Sequence, residues 1–196
     1  MIGKRITYAL REKFQKDCIS PHFTLNLFNN EELDYLAKVA KSAYIDAGVG
    51  RGEIIKDIRA TKINWLEDST ANTWIFKRIE KYVEQINDNI FNYEISSISA
   101  LQLANYSADE LGKYDWHMDC GEGPIRKLSL VIQLNNPEEY EGGDFSFMKS
   151  RNEQTVEKKK GLVVIFPSFL LHRVSPVTSG ERQSLVCWIN GTRPFS

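Results

Sequence analysis

The sequence predicts an α+β fold, in which a double-stranded β-helix (jelly roll) is braced by N-terminal supporting helices. Apolar residues recur every three or four positions in the first half of the chain and alternate with polar residues in the second half. Helices that come first and many short strands that follow, without strand–helix alternation, favour α+β over a doubly wound sheet. A jelly roll of two sheets is a natural architecture for such strands.

Two helices are predicted in the first half. Asn29 and Asn30 are good capping residues, and the apolar positions that follow have helical spacing. A second helix is predicted to begin near residues 68–70. The first apolar stripe contains Leu33, Leu36, Ala37, Ala40 and Tyr44, and the second contains Trp74, Ile75, Ile79, Tyr82, Val83, Ile86 and Ile90. Residues 45–60, which are charged and contain glycines, are predicted to be a loop that fits either an active-site lid or an ordinary connection.

After Asn92 the apolar pattern has a period of two, which is typical of strands with one buried face. We expect one domain over residues 1–196, with mainly helical support in 1–93 and the jelly-roll core in 94–196. The predicted strands include residues 101–103, 128–134, 144–148, 161–166 and 184–190, separated by turns at 135–137, 141–143, 167–168 and 179–180.

Composition narrows the class of protein. Lys and Arg together number 25 against 26 for Asp and Glu, and this balance makes nucleic acid an unlikely partner. Cys18, Cys120 and Cys187 are an odd number without a close pair, so neither a disulfide framework nor a cysteine zinc site is indicated. The longest apolar run, residues 162–171, is interrupted by Pro167 and is too short to cross a bilayer. We therefore expect no membrane partner and a cytoplasmic location.

A metal site is predicted from three residues, His117, Asp119 and His172, which are called the triad below. His117 and Asp119 are two positions apart, so on a strand their side chains leave the same face. His172 follows a separate apolar strand. Two histidines and one carboxylate leave coordination positions open, as non-heme iron enzymes require, whereas structural zinc sites fill all four. Taken alone, the His-x-Asp spacing fits a surface pair at a strand end equally well.

Arg182 extends this prediction to an anion site. It follows His172 after a turn predicted at residues 176–180, which would return the next strand beside the histidine strand with Arg182 facing the barrel interior. A guanidinium can bind a carboxylate through two parallel hydrogen bonds, and it is costly to bury unpaired, so an anionic co-substrate is indicated. Without the histidine, Arg182 would better fit a solvated turn residue beside Glu181.

With these motifs in place, the C-terminal half resembles the Fe(II)/2-oxoglutarate oxygenases. Within them it is most similar to the prolyl 4-hydroxylase-like branch, and particularly to bacterial and phage PKHD-type hydroxylases. The resemblance covers roughly residues 98–195. The matching residues are Gln102, Tyr106 and Tyr114, followed by 117–119, 126–130, 140–144, 166–168, 171–174, 176–177, 180–182 and 188–189.

The resemblance implies a role for each matching site residue. The triad would bind iron, and Arg182 would pair with the C5 carboxylate of 2-oxoglutarate. Tyr106 would donate a hydrogen bond from its phenol to the same carboxylate. Trp188 would line the pocket near His172, and Leu130 and Ile132 would join it as apolar walls. Residues 141–144 resemble the family's glycine-bearing turn, where the absence of side chains allows a tight strand reversal.

The function implied by the resemblance is an Fe(II)- and 2-oxoglutarate-dependent dioxygenase that uses O2 to hydroxylate a C–H bond. Succinate and CO2 would be released, and ascorbate is a candidate reductant. The expected substrate is a prolyl residue of a peptide or protein. A nucleic-acid oxidative demethylase is one alternative, although residues 183–188 lack the additional arginine of that branch. The other is a non-catalytic jelly-roll binding module, which the presence of all three triad residues and Arg182 disfavours.

Overall fold

The computed structural model describes residues 19–43, 45–50, 52–121, 123–193 and 195. Within this part of the chain, two antiparallel sheets lie face to face, and the predicted double-stranded β-helix is confirmed. The larger sheet has the order β1 (His22–Thr24), β12 (Val163–Pro167), β8 (Arg126–Gln133), β14 (Val177–Asn190), β6 (Leu101–Ser107), β4 (Lys62–Leu66) and β2 (Ile45–Asp46), with β5 (Ser97–Ile98) and β9 (Tyr140–Gly142) also pairing with β14. The smaller sheet has the order β11 (Asn152–Thr155), β10 (Phe145–Lys149), β13 (His172–Val174), β7 (Lys113–His117) and β3 (Arg59–Ala60).

Two helices cover the outer face of the larger sheet. Helix α1 (Asn30–Lys41) begins with a capping box, in which the Glu32 amide donates to Asn29 Oδ1 and the Asn29 amide donates to Glu32 Oε2, each at 2.9 Å. Helix α2 (Thr73–Ile86) starts a few residues later than predicted and continues into a π-helical turn at Asn87–Phe91. Two predicted features, Tyr44 of the first stripe and Cys18, lie outside the described residues. Among the described helices, none has the length and hydropathy needed to cross a membrane.

The larger sheet separates two apolar cores. Leu130 and Ile132 of β8 are fully buried against the helices, in the core that the helical stripes complete. Their neighbour Val131 faces the smaller sheet instead. The prediction that Leu130 and Ile132 line the pocket was therefore wrong, because successive side chains of a strand leave opposite faces. The alternation was recognised in the sequence, but it does not show which face meets the helices.

Strands from the first half of the chain extend both sheets. β1, β2 and β4 add to the larger sheet, and β3 pairs with β7 at the edge of the smaller one. The helical interpretation of residues 1–93 did not predict these strands, because each is only two to five residues long. Their consequence for the site is direct, since β3 places Arg59 beside Tyr114 of β7.

A glycine turn and a long strand bring the two halves of the barrel together. Gly142 and Gly143 have φ values of 66° and 62°, and a Cβ on Gly142 would lie 2.1 Å from the carbonyl oxygen of Pro176. Only glycine tolerates this approach and this backbone conformation without strain. The turn predicted at residues 176–180 is wrong, because β14 begins at Val177 and pairs with β9 there. The reversal occurs before it, between β13 and β14.

Candidate active site

Strand pairing brings the triad together. His117 is the last residue of β7, and His172 is the first residue of β13, which runs antiparallel beside it. The two histidines are cross-strand partners with ring centroids 4.1 Å apart. Asp119 follows two residues after His117, where its amide donates to the carbonyl of Ser168 at 2.9 Å. Residues 55 positions apart in the sequence therefore share one site.

The triad directs one ligand atom from each residue toward a common point. Nδ1 of His117 donates to the carbonyl of Asp115 at 2.7 Å, and Nδ1 of His172 donates to the carbonyl of Leu170 at 2.8 Å. These bonds leave Nε2 of each ring with its lone pair. The two Nε2 atoms lie 3.8 and 3.6 Å from the oxygens of Asp119, and all ligand atoms are within 4.8 Å of one another. The donor set fits a divalent metal with open coordination positions, of the type that non-heme iron enzymes use.

Asp119 is held as a carboxylate inside the protein. Burial alone would raise its pKa, but the two triad histidines, Ser129 and Trp188 together lower it below the ordinary value. The Ser129 hydroxyl donates to Asp119 Oδ2 at 2.6 Å and lies 2.9 Å from the hydroxyl of Ser168. Both serines are fully buried. They fix the orientation of the carboxylate as outer partners of a metal ligand do.

His117 is neutral in this site. Burial and the neighbouring His172 together lower its pKa to about 3, against the opposing effect of Asp119. The ring of Tyr114 stacks on His117 at a centroid distance of 3.5 Å and an interplanar angle of 14°. A neutral imidazole is the form that binds a metal, so the burial prepares His117 for this role.

Arg182 supplies an unpaired cation in the same cavity. It lies in β14, its side chain is 2% exposed, and it is the cross-strand partner of Tyr106 in β6. Nη1 donates to Ser184 Oγ at 3.3 Å, whereas the buried Nη2 has no hydrogen-bond partner. The guanidinium lies 5.2 Å from the centre of the Tyr106 ring. A buried guanidinium nitrogen without a partner indicates a place for an anionic group.

One cavity is lined by all of the predicted site residues. Trp188 lies in its wall, beside Asp119 and His172. The lining consists of the triad, Arg182, Tyr106 and Trp188 together with Arg59, Gln102, Tyr114, Val131, Phe145, Val174, Ser184 and Val186.

Sequence reasoning missed several residues around the cavity. Arg59 lies in a segment predicted to be a loop, and its guanidinium stacks on Tyr114 at 4.5 Å from the ring centre. Arg126 stacks on Trp188 at 4.2 Å, and its Nη1 donates to the carbonyl of Asp119 at 3.3 Å. Burial lowers the pKa of Arg126, and the charge of Arg59 contributes to that lowering. The only sequence signal for Arg126 was its place in the family motif.

The segment at 45–60 borders this site. Gly48, Gly50 and Gly52 line a depression that continues from the cavity mouth, along with Arg59. The segment is not a plain loop, because β2, β3 and a bridge between Val49 and Glu53 lie within it. Its function as a lid stays a prediction.

Comparison with known proteins gives the family. The sequence model of the 2OG-Fe(II) oxygenase superfamily matches residues 101–190, which include the triad, Arg182 and Tyr106. Residues 101–190 form a domain of the 2OG-Fe(II) oxygenase superfamily. This stretch contains β6 to β14, so the oxygenase domain contributes strands to both sheets and contains all of the triad.

Curated relatives of this chain are PKHD-type hydroxylases. One from Psychrobacter sp. (strain PRwf-1) is 39% identical over 93 residues, which are 43% of this chain and 36% of the relative. Another, from Parvibaculum lavamentivorans, is 45% identical over 62 residues, covering 32% of this chain and 28% of the relative. The chain thus spans about a third of the length of these relatives.

Solved structures similar to this chain include prolyl hydroxylases. A prolyl hydroxylase from Trichoplax adhaerens, in complex with a hypoxia inducible factor oxygen degradation domain peptide fragment, has a TM-score of 0.75 and 16% identity, covering 87% of this chain and 83% of that one. A prolyl-4-hydroxylase from Pseudomonas putida has a TM-score of 0.71 and 22% identity, covering 87% and 92%. At these identities the likeness shows the fold.

Proposed function

We propose that the protein is an Fe(II)- and 2-oxoglutarate-dependent dioxygenase that hydroxylates a C–H bond. The observation that carries the proposal is the unpaired Nη2 of Arg182, which lies in the same cavity as the triad. A metal site alone fits many proteins, but a metal site beside a buried, unpaired guanidinium fits a co-substrate that has two carboxylates. 2-Oxoglutarate has one carboxylate for the metal and one for the arginine.

The triad would hold Fe(II) through Nε2 of His117, Nε2 of His172 and the carboxylate of Asp119. When bound, the iron supplies the oxidative chemistry, in which O2, 2-oxoglutarate and substrate C–H become hydroxylated substrate, succinate and CO2. Ser129 and Ser168 keep the carboxylate oriented, and the backbone carbonyls of Asp115 and Leu170 keep the imidazoles in the metal-binding tautomer.

The rest of the cavity positions the co-substrate and excludes water. Arg182 would bind the C5 carboxylate through Nη2, and Tyr106, opposite it on β6, would donate its phenolic hydrogen to the same group. Apolar side chains from both sheets, Val131, Phe145 and Val174, form the walls between Arg182 and the triad. A dry wall protects a reactive site from side reactions and strengthens the ion pair inside it.

A prolyl residue of a peptide or protein is the substrate that the relatives support. The curated relatives are named PKHD-type hydroxylases, and the Trichoplax enzyme is described with a bound peptide fragment. The demethylase alternative has less support, because the formal net charge of the chain is −1 and polyanions bind to basic surfaces.

The proposal is tested by metal and co-substrate dependence. The purified protein should bind one Fe(II) per chain and form succinate from 2-oxoglutarate only when Fe(II) is present. Asp119→Ala should lose iron binding and turnover while keeping the wild-type circular dichroism spectrum. Asp88→Ala, an exposed aspartate far from the triad in sequence, is the matched control and should behave as wild type. A protein that binds neither Fe(II) nor 2-oxoglutarate would instead be a jelly-roll binding module.

A further inference from the structure

A second pair of cations, Arg59 and Arg126, lies at the mouth of the cavity, on the side away from Arg182. Both line the depression that continues from the cavity to the surface. Among the residues that the structure describes, neither guanidinium has a carboxylate within the 4.0 Å of an ion pair. The neighbouring lysines differ, because Lys62 pairs with Asp46 at 2.6 Å and Lys56 with Glu110 at 3.8 Å. The two arginines therefore lack an ion-pair partner where the lysines have one, and the carboxylate whose charge acts on Arg126 is Asp119 of the triad.

Neutral groups hold Arg59 in place. Its Nη2 donates to Gln102 Oε1 at 2.7 Å and its Nη1 donates to the carbonyl of Gly48 at 3.1 Å. Its Nε is buried and has no partner, and the side chain as a whole is 9% exposed. The face of the guanidinium lies on the ring of Tyr114. These contacts fix the geometry without cancelling the charge, which is expensive for a structural arginine.

Arg126 is held in a similar way from the opposite sheet. Its guanidinium lies on the ring of Trp188, and one nitrogen, Nη1, donates to the carbonyl of Asp119. Its other N–H groups have no partner among the described residues. Aromatic faces and carbonyl groups orient both cations, and this arrangement is pre-organised to bind an anion.

The pair is also close to the reacting centre. Tyr114, beneath Arg59, stacks directly on His117, and Arg126 contacts Asp119 through its backbone. Each guanidinium is thus separated from the triad by one aromatic ring or one peptide group. Both cations line the depression that shares Asp119 and Trp188 with the cavity, and an extended peptide advances about 3.3 Å per residue, so residues next to a target at the metal would lie near them.

We propose that Arg59 and Arg126 form a subsite for a side-chain carboxylate of the peptide substrate. The enzyme would then select target residues that have an aspartate or glutamate one or two positions away. This inference rests on the proposed function and adds to it the chemical class of the substrate. Charge-assisted bonds from two fixed guanidinium groups give the selectivity, because an uncharged isostere leaves both cations unpaired.

The surroundings of the subsite favour a peptide over a nucleic acid. Among the described residues, Asp46 and Glu110 pair with the nearby lysines, so these lysines do not extend the charge of the two arginines along the surface as a phosphate backbone would require. Beside the arginines, Ile45 and Trp65 line the same depression and are 40% and 46% exposed. Exposed apolar and aromatic side chains around a charged centre are typical of surfaces that bind peptides.

Peptide binding without turnover tests the subsite. Fluorescein-labelled proline heptapeptides that carry Asp, Asn or Lys at one or two positions from the proline would be titrated with protein containing Mn(II) and 2-oxoglutarate. The best Asp peptide should bind at least about tenfold more tightly than its Asn isostere, as expected for a charge-assisted pair. Arg59→Gln and Arg126→Gln should each reduce this preference to about threefold or less. Arg151→Gln removes one exposed arginine elsewhere and should retain it.

The outcomes separate the subsite from the proposed function. Equal affinity of the wild-type protein for Asp and Asn peptides would refute the subsite, even if 2-oxoglutarate turnover is normal. Tighter binding of a single-stranded oligonucleotide than of any peptide, lost in both arginine variants, would reassign the cations to a nucleic acid. Absence of iron-dependent succinate formation would refute the proposed function, while the Asp preference would still be measured by binding. If Arg59→Gln loses its fold, Arg126→Gln decides the result.

Discussion

Removing the hydroxyl of Ser129 should weaken iron binding without removing an iron ligand. Ser129 Oγ donates to Asp119 Oδ2 at 2.6 Å in a fully buried site, where a hydrogen bond to a charged group contributes about 1.5–3 kcal/mol. Ser129→Ala leaves the volume of the site nearly unchanged but frees the carboxylate to rotate and favours its protonated form. Loss of such an outer partner typically costs 10–100-fold in metal affinity. We expect the dissociation constant for Fe(II) to rise by about tenfold or more.

The measurement is an anaerobic Fe(II) titration in competition with a coloured chelator. Ser146→Ala is the matched control, because Ser146 is also fully buried and its hydroxyl lies 3.2 Å from that of Thr155, on the smaller sheet. Ser146→Ala should lose a buried hydroxyl and its hydrogen bond to Thr155 but keep the wild-type affinity for Fe(II). An Fe(II) affinity of Ser129→Ala within twofold of wild type would show that the serine does not orient Asp119.

Two further predictions concern the co-substrate and the glycine turn. Arg182→Ala should raise the 2-oxoglutarate concentration needed for half-maximal succinate formation by about tenfold or more, because a buried charge-assisted pair is lost. An unchanged requirement would remove Arg182 from the co-substrate site. Gly142→Ala should destabilise the protein by about 2 kcal/mol or more, or roughly 5 °C in thermal midpoint, because the added Cβ meets Pro176 at a positive φ. Gly121→Ala, where nothing lies within 4 Å of the new Cβ, should melt within about 1–2 °C of wild type, within the small effects usual for surface substitutions, and equal midpoints for the two variants would contradict the steric reasoning.

The two ends of the cavity suggest how binding and selection are divided. Arg182 is buried in the lining of the cavity, where we propose that it binds the co-substrate. Arg59 and Arg126 lie at the outer end, next to exposed apolar side chains. The triad lies between them. Under the two proposals, one cationic group of the cavity binds the co-substrate and a separate pair binds the molecule that is modified.

Much of this organisation was predictable from the sequence because it depends on local pattern. The capping box at Asn29 and the stripe of α1 follow from helical spacing, and the alternation in β6 and β8 follows from the pleat. His117 and Asp119 are close enough in sequence for strand geometry to place them on one side. The glycine pair Gly142 and Gly143 was also expected, since only glycine fits such a turn.

The remaining features depend on contacts between residues far apart in the chain, which single-sequence patterns do not encode. Pairing of β7 with β13 sets His172 opposite His117, and pairing of β6 with β14 sets Arg182 opposite Tyr106. Packing of the helices on one face of β8 turns Leu130 away from the pocket and Val131 toward it. The sequence by itself predicted the residues proposed to carry the iron and co-substrate chemistry, beginning with the triad. Only the tertiary structure decided which residues surround them. A buried arginine without an ion-pair partner, such as Arg59, cannot be recognised from the sequence, because burial and pairing depend on residues far apart in the chain.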